Sequence, residues 1–216
     1  VPMIRCVLFD LDGTLIDTND LIIESFMHVL NEKLSLGIAR EEIISQMGMP
    51  LVEQFRHFTG RDDVGDLVAA YQTYNLRRHD EMVRIFPHVN EVVEALAEAG
   101  IATGVVTNKM RGTTMRALEM FGLKPLMKTI VTLDDVSRGK PHPEPVQKGM
   151  EAVGAKPEET VMVGDSPYDI ESARRAGARS AGVAWSLKGE NVLQMWRPDW
   201  MLRDLRELYA IVGLKR

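Results

Sequence analysis

The sequence predicts an α/β protein: a parallel sheet with helices on both faces, and a second, all-helical unit inserted after the first strand. Three observations lead there. From Phe86 onward, short apolar runs alternate with helical patterns, the arrangement of parallel strands joined by crossover helices. Between Asp17 and Arg84 nothing reads as a β-branched strand, and about 70 residues is far too long for a loop. The first apolar run, Cys6-Val7-Leu8-Phe9, ends in two carboxylates one residue apart, Asp10 and Asp12, followed by Gly13. The expected division is residues 1–16 with 85–216 for the sheet domain and 17–84 for the helical one.

The 216 residues are 45% hydrophobic and 26% charged, an ordinary globular balance that supports a sizeable core. The net charge of −5 is spread over mixed signs, with no basic block to suggest nucleic acid and no acidic tail. No apolar stretch approaches the ~20 residues of a membrane span, and no signal peptide precedes the first strand. A soluble, cytoplasmic protein is expected. The single cysteine, Cys6, lies inside the first strand and reads as a buried structural thiol. The 13 methionines are scattered singly, as core filler. The five histidines form no paired motif and are expected on the surface or in loops.

Taken in order, the polar stretch Asp17-Thr18-Asn19-Asp20 offers a cap to a helix with Leu21, Ile22, Phe26, Val29, Leu30 and Leu34 near one face, broken at Gly37. A short helix from about Glu41 to Met47 ends at Gly48. Pro50 sits in the first turn of another helix that runs to Phe58, and a longer one covers about Asp63 to Met82. Pro87 then opens a helix ended by Gly100. Strands follow at Ile101–Val106, about Thr129–Thr132, Thr160–Val163 and Ser180–Ala184. Between them lie helices at about Arg111–Met120 and Glu144–Val153 and after Ser166, and a terminal helix lies near Leu205 to Val212.

In open α/β sheets the site lies beyond the carboxyl ends of the strands. Four strand ends in this chain carry groups suited to chemistry: Asp10 and Asp12; Thr107 and Asn108; the loop holding Lys140; and Asp165 with Asp169. Crowded carboxylates need a cation. All-oxygen ligation without His/Cys spacing points to Mg²⁺ rather than zinc. A carboxylate beside Mg²⁺, with a second carboxyl group two residues on, suggests covalent phosphoryl transfer. Asp10 would be the nucleophile and Asp12 the general acid and base. Thr107, Lys140 and the strand end at Asn108 would hold the phosphoryl oxygens. A phospho-signalling receiver uses similar groups, but an acceptor on the first strand followed by a helical insert argues against one.

The four motifs Asp10-Leu11-Asp12-Gly13-Thr14, Thr107, Lys140-Pro141 and Gly164-Asp165-Ser166-Pro167-Tyr168-Asp169 resemble those of the haloacid dehalogenase superfamily of phosphatases. The resemblance implies a Rossmann-like core with a helical cap inserted after the first motif. It implies Mg²⁺ held by the carboxylates of Asp10 and Asp165 and the backbone carbonyl of Asp12. Asp169 would support the metal indirectly or pair with Lys140, and the Lys140-Pro141 bond would often be cis. Further stretches, among them Val131-Thr132-Leu133-Asp134-Asp135-Val136 and Ala184-Trp185-Ser186-Leu187-Lys188-Gly189, resemble the PpaX-type inorganic pyrophosphatases. They imply pyrophosphate as substrate, with phosphoglycolate phosphatase as the first alternative and a sugar-phosphate mutase of the same superfamily, transferring the phosphoryl group back to substrate, as the next. Ser166-Pro167-Tyr168 stands where many of those relatives carry Asn and His.

Pyrophosphate calls for a strongly positive site. The insert offers Arg40, Arg56, His57, Arg61, Arg77, Arg78 and Arg84, of which one or two are expected to reach it. The loop Gln46-Met47-Gly48-Met49-Pro50 is expected to face the phosphate, with Gln46 and Gly48 as contacts. Lys109 is expected to face solvent. Trp185, Trp196 and Trp200 are expected to pack the C-terminal elements.

Overall fold

The computed structural model describes residues 2–216. Six strands form one parallel sheet: β1 (Cys6–Phe9), β4 (Ala102–Val106), β5 (Thr129–Val131), β6 (Thr160–Gly164), β7 (Arg179–Val183) and β8 (Trp200–Leu202), in the order β5-β4-β1-β6-β7-β8. β1 is central, with Cys6 opposite Ala102 on one side and Thr160 on the other. The chain leaves β1 in one direction toward β4 and β5 and in the other toward β6, β7 and β8. The crevice at that reversal opens over the end of β1. All four β1 residues are buried, and burial pushes the Cys6 thiol up to about 11.

The sheet's two faces carry separate apolar layers. One gathers Val7, Phe9, Val105, Val161 and Val183 against α5 (Val89–Glu98) and α10 (Leu208–Val212). The other gathers Cys6, Leu8, Val106 and Met162 against α7 (Glu144–Val153) and α8 (Pro167–Arg175). The alternation of side chains along a strand sends Val7 and Phe9 to one layer and Cys6 and Leu8 to the other.

Helices α1 (Asn19–Met27), α2 (Arg40–Gln46), α3 (Leu51–Thr59) and α4 (Gly65–Met82) pack around a third cluster of their own, centred on Phe26, Phe55 and Tyr71. Phe26 meets Tyr71 at a ring-centroid distance of 4.9 Å, Phe55 at 5.1 Å and Phe58 at 5.8 Å. α1 passes into a π-helical stretch over His28–Lys33 before the chain turns. Pro50 is the N-cap of α3 rather than part of its first turn.

Four further features differ from the sequence expectation. The chain enters and leaves the helical layer through a two-stranded antiparallel ribbon, β2 (Ile16–Asp17) against β3 (Arg84–Ile85), too short to leave a periodic pattern. Strand β8 and helix α9 (Glu190–Met195) fill the stretch between the strand at Ser180–Ala184 and the terminal helix, where the sequence predicts no element, and β8 pairs with β7 through Trp200–Leu202. His79 is fully buried on α4 instead of lying at the surface, with its Nδ1 2.9 Å from Asp80. Trp196, at 41% exposure, does not pack as expected, whereas Trp185 lies against Phe86 and Trp200 belongs to the sheet.

Phe26 fills the middle of the helical layer, so Phe26→Ala should cost about 3–5 kcal/mol of stability. Urea unfolding would show it as a fall in the transition midpoint; a change below about 1 kcal/mol would mean that the layer collapses around the gap.

Candidate active site

The carboxyl ends of β1, β4 and β6 and the loop after β5 meet in one place. The Lys140 ammonium is 2% exposed, and its three N–H groups all have protein acceptors. Asp169 Oδ1 lies at 2.6 Å, the Val106 carbonyl at 2.7 Å and Asp10 Oδ1 at 3.1 Å. Burial alone would pull this lysine down, but the Asp10 and Asp169 charges outweigh it and hold the group well above its ordinary value. Asp10 Oδ1 also accepts from the Leu11 N–H at 2.8 Å, so both of these bonds fall on one oxygen. Asp169 Oδ2 accepts from the Ser166 N–H and hydroxyl, each at 3.1 Å, closing a capping box at the start of α8.

Oxygens of Asp10, Asp165 and Asp169 lie within 4.8 Å of one another. Burial raises Asp10 to about 6, helped by the Asp169 charge, and raises Asp165 well above the carboxylate range, helped by the charges of Asp10 and Asp169. Gly13 lets this crowding happen. At φ 79° it takes a conformation that other residues rarely adopt, and a Cβ there would collide with the Asp165 carboxylate. A divalent cation suits this donor set. The oxygens are hard, Lys140 offsets only part of the mutual repulsion, and among the described residues no hydrogen-bond donor takes the Asp12 carbonyl. Lys140-Pro141 is cis.

Asp12 is half-buried and faces the cavity rather than the cluster. Its Oδ1 accepts from the Thr18 hydroxyl at 2.8 Å and from Lys109 Nζ at 3.1 Å. Thr18 holds the N-cap position of α1, but its hydroxyl serves Asp12 and not the helix. The Thr107 hydroxyl accepts from the Lys109 N–H at 3.0 Å, which leaves its own proton available. Asn108 has a structural task. Its Oδ1 accepts from the Lys140 N–H at 2.8 Å, while its Nδ2 donates to the Lys140 carbonyl at 2.9 Å and to the Gly48 carbonyl at 2.8 Å. The side chain expected on phosphate thus clamps the lysine loop to the helical layer.

Gly48 lines the cavity, at φ 103°. A Cβ on it would stand 3.0 Å from the Tyr168 ring and 3.2 Å from Ser166 Oγ. Gln46 does not reach it: it lies off the cavity wall, its amide against Ser45 because α2 ends there. A second core contact fixes the same loop. Lys188 Nζ donates to the carbonyls of Ile44 and Ser45, both at 3.0 Å, and lies over the Tyr168 ring at 5.7 Å.

The cavity between sheet and helical layer has a volume of about 230 Å³. Asp10, Asp12, Thr107, Lys109 and Asp165 form its floor. The helical side is mainly apolar, from Leu21, Met47, Leu51 and Val68, with the amides of Gln54, Gln72 and Asn75. None of the insert's arginines lines it. Arg40 turns to Asp20, Arg61 to Asp66 and Arg78 to Glu81. Arg56 and Arg84 bond backbone carbonyls, and Arg77 lies over Tyr74. His57 is exposed. Lys109, expected in solvent, is the cation that does line the cavity, because Asp12 and the end of β4 draw it in.

A buried carboxylate with one oxygen unclaimed by lysine, beside a second carboxyl group and a cluster that could hold a cation, suits the transfer of phosphoryl groups. Residues 7–183 match the family model of the haloacid dehalogenase-like hydrolases, and the chain belongs to that family. It is a phosphohydrolase. A protein of Bacillus pumilus named pyrophosphatase PpaX is 46% identical over 210 residues, 97% of each chain. The one of the same name from Oceanobacillus iheyensis is 45% identical over 210 residues, again 97% of each. Among solved structures, a haloacid dehalogenase-like family hydrolase of Streptococcus pneumoniae superposes with a TM-score of 0.84 at 22% identity, covering 96% of this chain and 97% of that one. A hydrolase of Pseudomonas syringae gives 0.86 at 22%, over 97% and 98%. At that identity the likeness is one of fold.

The raised Asp10 and Asp165 carboxyls bind protons more tightly folded than unfolded. The contribution of Asp10 to stability is therefore greatest below about pH 4 and is lost as pH rises through about 6, and that of Asp165, raised in the same direction, is likewise lost as pH rises. In metal-free protein Asp165→Asn should raise the denaturant midpoint above wild type at pH 7.5, with the gap narrowing toward pH 5. A gap that does not change with pH would mean that the cluster carries no such repulsion.

Proposed function

We propose that the protein hydrolyses inorganic pyrophosphate to phosphate with Mg²⁺, through a phosphoryl group carried on Asp10. The observation that carries the mechanism is the placing of Asp10. Lys140 and the Leu11 N–H both hold Oδ1, which leaves Oδ2 for attack on phosphorus. Pyrophosphate as substrate is supported by the relatives named pyrophosphatase over nearly the whole chain.

Asp10 and Asp165 would hold Mg²⁺ by carboxylate and Asp12 by its backbone carbonyl, with Asp169 acting indirectly through Lys140; the ion supplies positive charge against the transferred phosphoryl oxygens. Asp10 Oδ2 forms a bond to one phosphorus as the bond from that phosphorus to the bridging oxygen breaks. The bridging oxygen keeps the electron pair and takes a proton from the Asp12 carboxyl. The Thr107 hydroxyl donates to a phosphoryl oxygen, and Lys140 shifts part of its hold from Asp10 to another. A water molecule then attacks the phosphorus, giving its proton to Asp12 and releasing Asp10 with a second phosphate. The helical layer excludes bulk water, and the Asn108 hydrogen bond to the Gly48 carbonyl holds it against the sheet edge.

Phosphate release should be measured from pyrophosphate, phosphoglycolate, glucose 1-phosphate and an aryl phosphate, with Mg²⁺ and then with EDTA. The expected result is the highest kcat/KM for pyrophosphate and no turnover in EDTA. A preference for phosphoglycolate would keep the mechanism and replace the substrate. Asp10→Asn should abolish turnover, and Asp12→Asn should lower kcat on the order of 10²–10⁴-fold. Wild-type rates from Asp10→Asn would refute the covalent step.

A further inference from the structure

We propose that Lys109 determines substrate preference by supplying the positive charge for the second phosphoryl group, the one that departs. The inference rests on the pyrophosphate reading above and goes beyond it by assigning the leaving side of the site to one residue.

The assignment follows from where the cations lie. Lys140 is buried beneath Asp10, with all three N–H groups accepted by protein atoms, so it serves the phosphoryl group that Asp10 attacks. The departing group lies on the opposite side of that phosphorus, beside Asp12, which gives it a proton. Lys109 Nζ is 3.1 Å from Asp12 Oδ1, lines the cavity and is only partly covered, its side chain 16% exposed. Asp12 Oδ1 also has the Thr18 hydroxyl at 2.8 Å, so Lys109 can turn to a new anion while Asp12 stays in place.

Elimination of the other cations is equally specific. The arginines of the helical layer are bonded outward, and the cavity wall that they leave is apolar or amide. Lys188 is near but engaged on the Ile44 and Ser45 carbonyls. A dianionic leaving group entering this wall meets three carboxylates from the floor and one ammonium, held only by Asp12. At short range inside a partly desolvated cavity, that ammonium decides whether the second phosphate is tolerated. A leaving group without charge has no such need. Lys109 therefore separates pyrophosphate from neutral esters, although it touches neither the attacked phosphorus nor the cation site.

The test uses Lys109→Met, with Lys109→Arg to restore charge and Thr18→Val to remove the other Asp12 contact without changing charge. Binding of methylenediphosphonate, a non-hydrolysable diphosphate, and of inorganic phosphate is measured by calorimetry with Mg²⁺, beside kcat/KM for pyrophosphate and an aryl phosphate. Lys109→Met should weaken diphosphonate on the order of 10–100-fold, the effect of one hydrogen-bonded charge, while phosphate changes less than about 3-fold. Pyrophosphate kcat/KM should fall in parallel and aryl phosphate kcat/KM should hold within about 3-fold. Lys109→Arg should recover most of the loss. Equal losses on both substrates, matched by Thr18→Val, would show that Lys109 merely positions Asp12 and would overturn the proposal, as would unchanged diphosphonate binding. Lys109-dependent diphosphonate binding in an enzyme that does not turn over pyrophosphate would refute the proposed substrate and leave the assignment of Lys109 standing.

Discussion

Four carboxylates converge where the strands of the sheet end, and a single buried ammonium ties two of them together. Lys140 cannot move without leaving Asp10 and Asp169 as unpaired buried charges, a loss of several kcal/mol for a pair of this kind. Its backbone is fixed accordingly: Asn108 bonds both its N–H and its carbonyl. The same amide holds Gly48, so the position of the helical layer depends on the electrostatics of the sheet edge. Asp169 completes the arrangement by capping α8 with one oxygen and pairing with Lys140 through the other.

The two layers divide the work by chemistry. The sheet supplies the charged groups, because strand ends can present several side chains to one point while their backbones stay hydrogen-bonded in the ladder. The helical layer supplies shape. Its core is aromatic, its cavity face is apolar, and its charges lie outside, where ion pairs such as Arg61–Asp66 remain solvated. Lys188 and Asn108 link the two by donating to backbone carbonyls, contacts indifferent to the identity of the residues that provide them.

Much of this was legible in the chain. Short apolar runs ending in polar groups located β1, β4 and β6, because a strand buried on both faces must be apolar throughout and can turn polar only where it leaves the sheet. Asp10, Asp12, Thr107, Lys140, Asp165 and Asp169 could be grouped on that basis before their distances were known. The ribbon of β2 and β3 was not legible, since two residues carry no period, and β8 was hidden by its three-residue length and its place at the sheet edge. Charge direction was the least readable property. An arginine on a helix and a lysine after a strand look alike in sequence, yet the first found exposed partners on its own layer and the second was drawn inward by Asp12, a residue 97 positions away.

The lone cysteine has a practical corollary. Cys6 sits mid-sheet with no exposed surface, its thiol held protonated by burial, and it has ladder partners on both sides. A sulfhydryl reagent can reach it only when α7 and α8 come away from that face of the sheet, an opening of the core. Its labelling rate is therefore a clock for the opening of that layer. On shorter times it is silent, so one cysteine placed on the helical layer would carry a dye or spin label without background and report that layer's motion alone.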